Sequence, residues 1–301
     1  MKNNIPHIVQ YQGSKRLLAP QILQYFPNKF NRLIEPFAGM AAITIATANQ
    51  RRTSNYLIND INTPLIDLLQ CAIETPSLLY DNYKALWEEQ FSYISGNIEH
   101  YYHVRERFNN GDRSPEVMLY LLARCVKGAV RYSRDGKFNQ SPDKRRYGTN
   151  PRTLLENITS ISNLLKGKVE YTSSDYREVL EVARRGDLVY MDPPYQGVSN
   201  TKDSRYFSGI DFNTFVEALE TLNRRDVNFI ISYDGKCGDK KYGNDLPKWL
   251  DCQQIYLNAG LSSQSVLLGK KDITYESLYL SRNIRNTQLY TQSSIFDSVA
   301  I

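Results

Sequence analysis

Short apolar runs alternate with longer segments of helical periodicity along most of this chain. The apolar runs contain many β-branched residues and are bounded by turn-forming residues, as strands are. Strands are predicted at residues 32–37, 55–59, 168–171, 187–191, 227–232, 253–257 and 274–280. Helices are predicted at residues 14–26, 41–49, 64–73, 115–130, 152–165, 176–183 and 212–222. The alternation predicts an α/β fold in which helices cover a parallel sheet.

Between about residue 75 and residue 150 the helical patterns continue without strands. This stretch ends in SRDGKFNQSPDKRRYGTNP, whose Gly, Asn, Ser and Pro content predicts a surface loop. We therefore predict that residues 75–167 are inserted into one α/β domain formed by residues 1–74 and 168–282. Residues 283–301 are predicted to form a polar C-terminal tail.

The net charge of +5 over 301 residues becomes informative when it is located along the chain. Residues 105–152 contain twelve Lys and Arg against five Asp and Glu, a net charge of +7, so the rest of the chain sums to −2. Aromatic and amide side chains lie among these cations, including Tyr132, Phe138, Asn139 and Gln140. A solvated charged loop is the simplest explanation, but cations beside amides that can read base edges favour a nucleic-acid surface.

The composition excludes several classes of protein. Hydrophobic residues make up 41% of the chain and charged residues 23%, which excludes disordered and collagen-like chains. No apolar run approaches the roughly 18 residues of a membrane-spanning helix, and the N-terminus lacks the apolar block of a signal peptide, so a cytoplasmic protein is expected. The four cysteines form no C-x-x-C pair, and His100 and His103 have no third ligand nearby, so no metal is expected.

Two segments have the pattern of a nucleotide site. Residues 33–42, LIEPFAGMAA, form a strand that runs into small residues, which would let backbone amides approach a ligand at the strand's carboxyl end. Asp60 ends the next predicted strand 21 residues after Gly39, the spacing at which an acid accepts hydrogen bonds from ribose hydroxyls. Alternatively, the first turn has no ligand and Asp60 is only the N-cap of the following helix.

The third segment is GDLVYMDPPY at residues 186–195. It has the apolar pattern of a buried strand, and polar and aromatic residues follow the strand at the same edge of the sheet. Pro193 and Pro194 fix the backbone and lack N–H donors. The carboxylate of Asp192 and a rigid carbonyl can therefore accept both protons of an amino group. Tyr195 can stack on a flat base.

These motifs occur in the order found in the Dam-like, D12 class of adenine-N6 DNA methyltransferases, which the chain resembles from about residue 8 to residue 280. The shared motifs are YQGSK at 11–15, EPFAG at 35–39, NDIN at 59–62 and DPPY at 192–195, with FN at 138–139 and RY at 146–147 in the target-recognition loop. Ala41 departs from a second glycine that many relatives have. The resemblance implies a Rossmann-like S-adenosylmethionine-dependent methyltransferase sheet with a mostly helical inserted target-recognition domain.

The resemblance also implies roles for individual residues. S-adenosylmethionine would be held by Tyr11, Lys15, Glu35, Phe37, Gly39, Asp60 and Asp192. Catalysis would rest on Asp192, Pro193 and Tyr195, which would bind a flipped-out adenine and its amino group for direct in-line methyl transfer. The expected DNA contacts are Arg131, Arg134, Asn139, Gln140, Lys144, Arg145 and Arg146.

The implied partner is double-stranded DNA, methylated at a specific sequence in a restriction–modification system that has a separate endonuclease. Cytosine-N4 methylation remains open because it uses the same geometry, often with Ser in place of Asp192. A methyltransferase acting on an amine of RNA or protein also remains open, as does a DNA-binding module with an inactive pocket. Cytosine-C5 chemistry is disfavoured because none of the four cysteines follows a proline.

Overall fold

The computed structural model of this protein describes residues 5–194, 210–237, 240–241, 245–261 and 273–284. The strands in these ranges are β1 (Leu33–Glu35), β2 (Tyr56–Asn59), β3 (Val169–Thr172), β4 (Leu188–Met191), β5 (Asn228–Cys237), β6 (Lys240–Lys241), β7 (Gln253–Leu261) and β8 (Ile273–Leu280). The α-helices are α1 (Ala19–Ile22), α2 (Ala42–Asn49), α3 (Thr63–Glu74), α4 (Pro76–Ser92), α5 (Asn97–Asn109), α6 (Pro115–Arg124), α7 (Pro151–Leu165), α8 (Tyr176–Glu181) and α9 (Phe212–Arg224). Short 3-10 turns occur at Lys15–Leu17, Leu23–Tyr25, Val126–Gly128 and Lys248–Leu250.

The strands form one sheet with the order β3-β2-β1-β4-β5-β8-β7, and β6 pairs with β5. The five strands β1 to β5 are parallel, whereas β8 runs antiparallel to both of its neighbours. The predicted α/β fold is therefore confirmed, with an antiparallel addition at one edge. The chain reverses its direction of progress across the sheet at β1, whose neighbours are β2 on one side and β4 on the other.

Helices cover both faces of this sheet, so successive residues of the central strands are buried on opposite sides. Ile34 and Val189 pack with α8 and α9, whereas Leu33 and Leu188 pack with the larger set of helices on the opposite face. All four side chains are fully buried. The near-continuous apolar character of β1 and β4 follows from this burial on both faces.

The predicted inserted segment packs directly on the sheet-covering helices. Its helix α7 contacts α2 and α3, and its helix α6 contacts α3. One continuous hydrophobic cluster includes residues of α6, α7 and the strands β1 and β4. The helices of residues 75–167 therefore thicken one face of the α/β core, and the division into two domains stays a prediction.

Two of the predicted helices are wrong in their extent. The helix predicted over residues 14–26 is divided into two 3-10 turns and the short α1, which has Pro20 in its first turn. The helix predicted over residues 115–130 ends at Arg124, because Cys125 has an extended backbone conformation. Lys127 and Gly128 then adopt left-handed φ angles of 63° and 60°. The interrupted backbone at residues 125–130 brings this loop against the N-terminal segment.

Candidate active site

A cavity of about 330 Å³ opens beside the carboxyl ends of β1, β2 and β4. This is the position at which open α/β sheets bind ligands, because the helices that follow adjacent strands diverge to opposite faces there. The seven residues predicted to hold the cofactor all line it: Tyr11, Lys15, Glu35, Phe37, Gly39, Asp60 and Asp192. Pro193 also lines the cavity, and Tyr195 lies outside the described residues.

The turn after β1 shapes one wall of the cavity. Gly39 has a φ angle of +51°, and a Cβ atom at this position would come within 3.0 Å of the Tyr11 ring. Glycine therefore satisfies both the backbone conformation and the close approach of the aromatic ring. Ala41, the departure from the family's second glycine, is also left-handed with a φ angle of 50°, and its methyl group is fully buried. The methyl group fits the core at the cost of local backbone strain.

Glu35 lies beneath this turn and is almost completely buried. Its Oε2 accepts a hydrogen bond from the backbone N–H of Thr44 at 2.9 Å, in the first turn of α2. Burial raises the pKa of Glu35 to about 7, although the hydrogen bonds from Thr44 oppose the shift. The carboxyl group thus joins β1 to α2 and contributes a titratable group to the cavity.

Asp60 connects the turns that follow β1 and β2. Its Oδ2 accepts a hydrogen bond from the Gly39 N–H at 3.0 Å, and its Oδ1 accepts one from the Asn62 N–H at 2.9 Å. Burial raises its pKa above the usual value despite these bonds. The alternative that Asp60 caps α3 is wrong, because Asn62 occupies the N-cap position. Each carboxylate oxygen has a further lone pair that can accept a hydrogen bond from a ligand.

Asp192 follows β4 and forms a buried ion pair. The Lys15 ammonium donates to its Oδ1 at 2.7 Å and lies 3.1 Å from Oε1 of Glu276. Burial raises the pKa of Asp192 to about 6, which Lys15 opposes and the negative charge of Glu276 reinforces. The Asp192 side chain retains 21% exposure and lies beside Pro193 in the cavity lining.

The charged window of residues 105–152, here called the basic segment, contains an antiparallel hairpin close to this cavity. Tyr132 pairs with Phe138 across the hairpin, and Phe138 is buried. The Phe138 N–H donates to Oδ1 of Asn109, and the Phe138 carbonyl accepts a hydrogen bond from Nδ2 of Asn109. The Tyr132 hydroxyl donates to Oδ1 of Asn62 at 3.1 Å, and Val130 lines the cavity. The hairpin is therefore attached to the loop that carries Asp60.

Six of the seven predicted DNA-contact residues have exposed side chains: Arg131, Arg134, Asn139, Lys144, Arg145 and Arg146. The exception is Gln140, which is 9% exposed and donates from its side-chain amide to the Val126 carbonyl at 2.9 Å. In this conformation its amide bonds within the loop and has little exposed surface for a DNA contact. Arg124, which belongs to the same charged window, is fully buried and donates to Asn97. The exposed charge of the segment is smaller than the sequence count.

Comparison with known proteins agrees with this geometry. The sequence profile described as D12 class N6 adenine-specific DNA methyltransferase matches residues 11–262. The chain belongs to this family. The matched range includes the turn after β1, the strand end with Asp60, the hairpin and Asp192.

Individual D12 class relatives are moderately similar. The DNA N-6-adenine-methyltransferase of Escherichia phage P1 is 28% identical over 246 residues, which are 76% of this chain and 30% of that protein. The Retron Ec67 DNA adenine methylase of Escherichia coli is 28% identical, with 75% of this chain and 76% of the relative aligned. The Type II methyltransferase M1.LlaDCHI of Lactococcus lactis subsp. cremoris is 30% identical, with 66% and 69% aligned. The chain thus spans under a third of the phage protein and more than two thirds of the other two.

Three residues of this candidate site and its surroundings were not assigned from the sequence. Asn59 is buried and uses its side-chain amide to bond Pro36 and Ser174, which ties together the turns after β1, β2 and β3. Asp175 lines the cavity and caps α8, a position that the carboxyl end of the third parallel strand already indicates. Glu276 lies within β8, where nothing in its sequence surroundings distinguishes it.

The remaining predictions concern metals and membranes. Among the described residues no group of three or more His, Cys, Asp and Glu side chains is arranged to hold a metal ion. His100 is fully buried, with Nδ1 2.8 Å from the Tyr120 hydroxyl and Nε2 3.5 Å from Glu89, so it is part of the helical packing. Within the described ranges no helix is both long and apolar enough to span a membrane.

Proposed function

We propose that this protein transfers a methyl group from S-adenosylmethionine to the N6 amino group of adenine in double-stranded DNA, at a specific sequence. One observation carries the proposal. Asp192 and Pro193 lie in the same cavity as Asp60 and Gly39, and an exposed basic hairpin is attached to its rim. Groups that can accept an amine's protons, accept hydrogen bonds from a nucleoside and bind phosphates are thus adjacent in a member of the D12 family.

The cavity has the chemistry needed to hold S-adenosylmethionine. Its volume of about 330 Å³ lies within the range of ligand-binding pockets. Asp60 can accept hydrogen bonds from ribose hydroxyls, and the carboxyl group of Glu35 suits the cationic methionine portion. Tyr11 and Phe37 supply aromatic faces for the remaining flat or apolar parts. When bound, S-adenosylmethionine would supply an electrophilic methyl group. The bond from its sulfonium sulfur to the methyl carbon would break as the N–C bond forms, S-adenosylhomocysteine would leave, and the amine would release one proton to solvent.

The residues after β4 prepare the amine for this transfer. An exocyclic amine is a poor nucleophile because its lone pair is delocalised into the ring. Hydrogen bonds accepted by the Asp192 carboxylate and the Pro193 carbonyl would localise the lone pair and aim it into the cavity. Catalysis then comes from positioning and from preorganised acceptors.

Access to the amine requires the base to leave the duplex, which costs a few kcal/mol. Stacking on Tyr195 would offset part of that cost, since base–aromatic stacking contributes about 1–3 kcal/mol. The exposed cations of the hairpin would hold the flanking phosphates. A DNA substrate also implies that the protein acts in the cytoplasm of a bacterial-type cell.

Restriction–modification is the setting that we propose, with a separate endonuclease cutting the unmethylated sequence. Two relatives are named Type II methyltransferases, and others are named DNA adenine methylases. Methylated DNA from cells that express this protein, sequenced for modified bases, would give the recognition sequence. Loss of viability on expressing a neighbouring nuclease without this protein, and rescue with it, would identify the partner.

Substitution of Asp192 by Asn tests the proposed activity. The wild-type protein should produce N6-methyladenine in plasmid DNA, as measured by nucleoside mass spectrometry. Asp192→Asn keeps the shape of the side chain but donates where the carboxylate accepts, so we expect a loss of at least about 100-fold in rate. A Glu170→Gln variant, which removes an exposed carboxylate from β3, is the control. Full activity of Asp192→Asn, or N4-methylcytosine as the product, would refute the assignment.

Substitution of exposed cations tests the proposed DNA surface. Arg131→Ala and Arg146→Ala should weaken binding to duplex DNA, whereas Lys166→Ala, at an exposed position outside the basic segment, should not. A phosphate contact should lower affinity evenly across sequences and reduce the salt slope by about one. A base contact should instead reduce discrimination by about 1–3 kcal/mol. Unchanged affinity, specificity and salt slope in both variants would contradict the proposed surface.

A further inference from the structure

Lys15 joins two carboxylates that come from distant parts of the chain. Its ammonium lies 2.7 Å from Oδ1 of Asp192 and 3.1 Å from Oε1 of Glu276. The three side chains are 7%, 21% and 13% exposed, respectively. Glu276 belongs to β8, which pairs with β5 and not with β4. The arrangement therefore depends on the order of strands in the sheet.

The balance of charge in this group is unusual for a structural ion pair. Among the described residues one ammonium faces two carboxylates, so these three largely buried groups together carry a net negative charge when all are ionised. Surface ion pairs contribute little, but charges that are removed from water interact strongly and fix one another's geometry. Because Glu276 shares the ammonium with Asp192, the position of Lys15 depends on both carboxylates. Asp192 also lines the cavity where an amine would bind.

We propose that Glu276 is a positioning residue for methyl transfer, which acts through Lys15 to set the orientation and the charge of Asp192. This inference rests on the proposed function for its catalytic meaning. Glu276 does not line the cavity, so we assign it no contact with the substrate. Its negative charge would weaken the hold of Lys15 on Asp192 and keep the Asp192 oxygens good acceptors for the amine.

The charged and titratable neighbours of Asp192 in the described ranges determine the expected direction of change. Lys15 lowers the pKa of Asp192 and Glu276 raises it, while burial is the largest cause of the increase. Glu35 and Tyr190 are also close enough to interact with its charge. Because Glu276→Gln removes a negative charge that raises the pKa of Asp192, this pKa should fall. A role in folding alone would not move this value.

Carboxyl ¹³C NMR of the full-length protein measures this directly, without cofactor or DNA. Aspartate-labelled wild type, Glu276→Gln and the control Glu170→Gln would be titrated, and Asp192→Asn would assign the signal. We expect the Asp192 midpoint to fall by about one pH unit in Glu276→Gln and to stay at the wild-type value in the control. Glu276→Asp, which keeps the charge, should retain most of the wild-type midpoint. A midpoint in Glu276→Gln equal to or above wild type would overturn the proposal.

Kinetics provide the second measurement. In Glu276→Gln we expect kcat to fall about tenfold at the optimum pH with KM for DNA unchanged, and the acid limb of kcat/KM to move to lower pH. Unchanged kcat across the pH range would also overturn the positioning role. Absence of DNA methylation by the wild type would instead refute the proposed function, and the NMR titration would still decide whether Glu276 controls Asp192.

Discussion

Replacing Glu35 by Gln measures how much the buried charge of this carboxyl group, beneath the candidate active site, lowers the free energy of unfolding. Gln has nearly the same shape, and its side-chain oxygen can still accept the hydrogen bond that Glu35 takes from the Thr44 N–H at 2.9 Å. The substitution therefore removes the charge and the titration and leaves the contact. The shift of the Glu35 pKa from 4.5 to about 7 corresponds to about 3 kcal/mol at roughly 1.4 kcal/mol per pKa unit.

The sign of the effect follows from which state binds the proton more tightly. Below pH 4.5 the carboxyl group is protonated in both the folded and the unfolded chain, so burial carries no charge penalty. As the pH rises from 4.5 to about 7, the unfolded chain ionises while the folded chain still holds the proton, and wild-type stability falls. Above about pH 7 the full penalty of about 3 kcal/mol is present. The Gln variant has no such dependence.

Urea denaturation of wild type and Glu35→Gln at several pH values from about 5 to about 8 measures the difference. The free energy of unfolding of the variant minus that of wild type should increase with pH by about 2–3 kcal/mol over this range. Glu170→Gln accounts for the removal of one carboxylate from the chain. A difference that is flat, or that decreases with pH, would show that Glu35 is not held in a site that disfavours its charge.

Three other measurements test single contacts around the site. Gly128→Ala would place a Cβ 2.0 Å from the Gln10 carbonyl oxygen and should lower the free energy of unfolding in urea by at least about 2 kcal/mol. Gly136→Ala, also at positive φ but in open space, should lower it by only about 1 kcal/mol, and equal losses would contradict the close contact. Tyr132→Phe removes the hydrogen bond between the hairpin and the loop after β2, so the Kd for S-adenosylmethionine measured by calorimetry should rise about fivefold. An unchanged Kd would show that this hydrogen bond does not affect cofactor binding. The pKa of Asp192 is raised to about 6, and only its ionised form accepts hydrogen bonds with both oxygens. The value of kcat/KM for DNA should therefore fall as the pH drops through about 6. A kcat/KM independent of pH from about 5 to about 8 would exclude the carboxylate as acceptor.

The sequence was sufficient to predict which segments would meet at the cavity. Each predicted strand corresponds to an observed one, and Gly39, Asp60 and Asp192 follow the ends of β1, β2 and β4. Parallel strands end at the same edge of a sheet, so residues placed just after them are close in space even when they are distant in the chain. The local pattern therefore determined both the class of fold and the core of the candidate site.

Other features required the tertiary structure. Gln140 and Arg124 have the side chains of a DNA-binding surface, but packing against neighbouring helices and loops turns both inward. Local polarity does not predict this, because burial of a polar group depends on whether distant partners satisfy it. The predicted helix likewise ends early, at Arg124, and the loop that follows contacts the N-terminal segment, since the Gly128 carbonyl accepts a hydrogen bond from the Gln12 N–H.

The sequence by itself determined every described strand except the short β6, most of the helices, the motif residues at the strand ends and the location of the excess positive charge. Each of these depends on interactions between residues that are near one another in the chain or on the direction of single strands. The tertiary structure decided which cations of the basic segment are exposed and which second carboxylate forms an ion pair with Lys15 beside Asp192. Glu276 follows Lys15 by 261 positions, and the two meet only because β8 inserts between β5 and β7 in the sheet. Strand order is a global property of packing, and no local pattern encodes it.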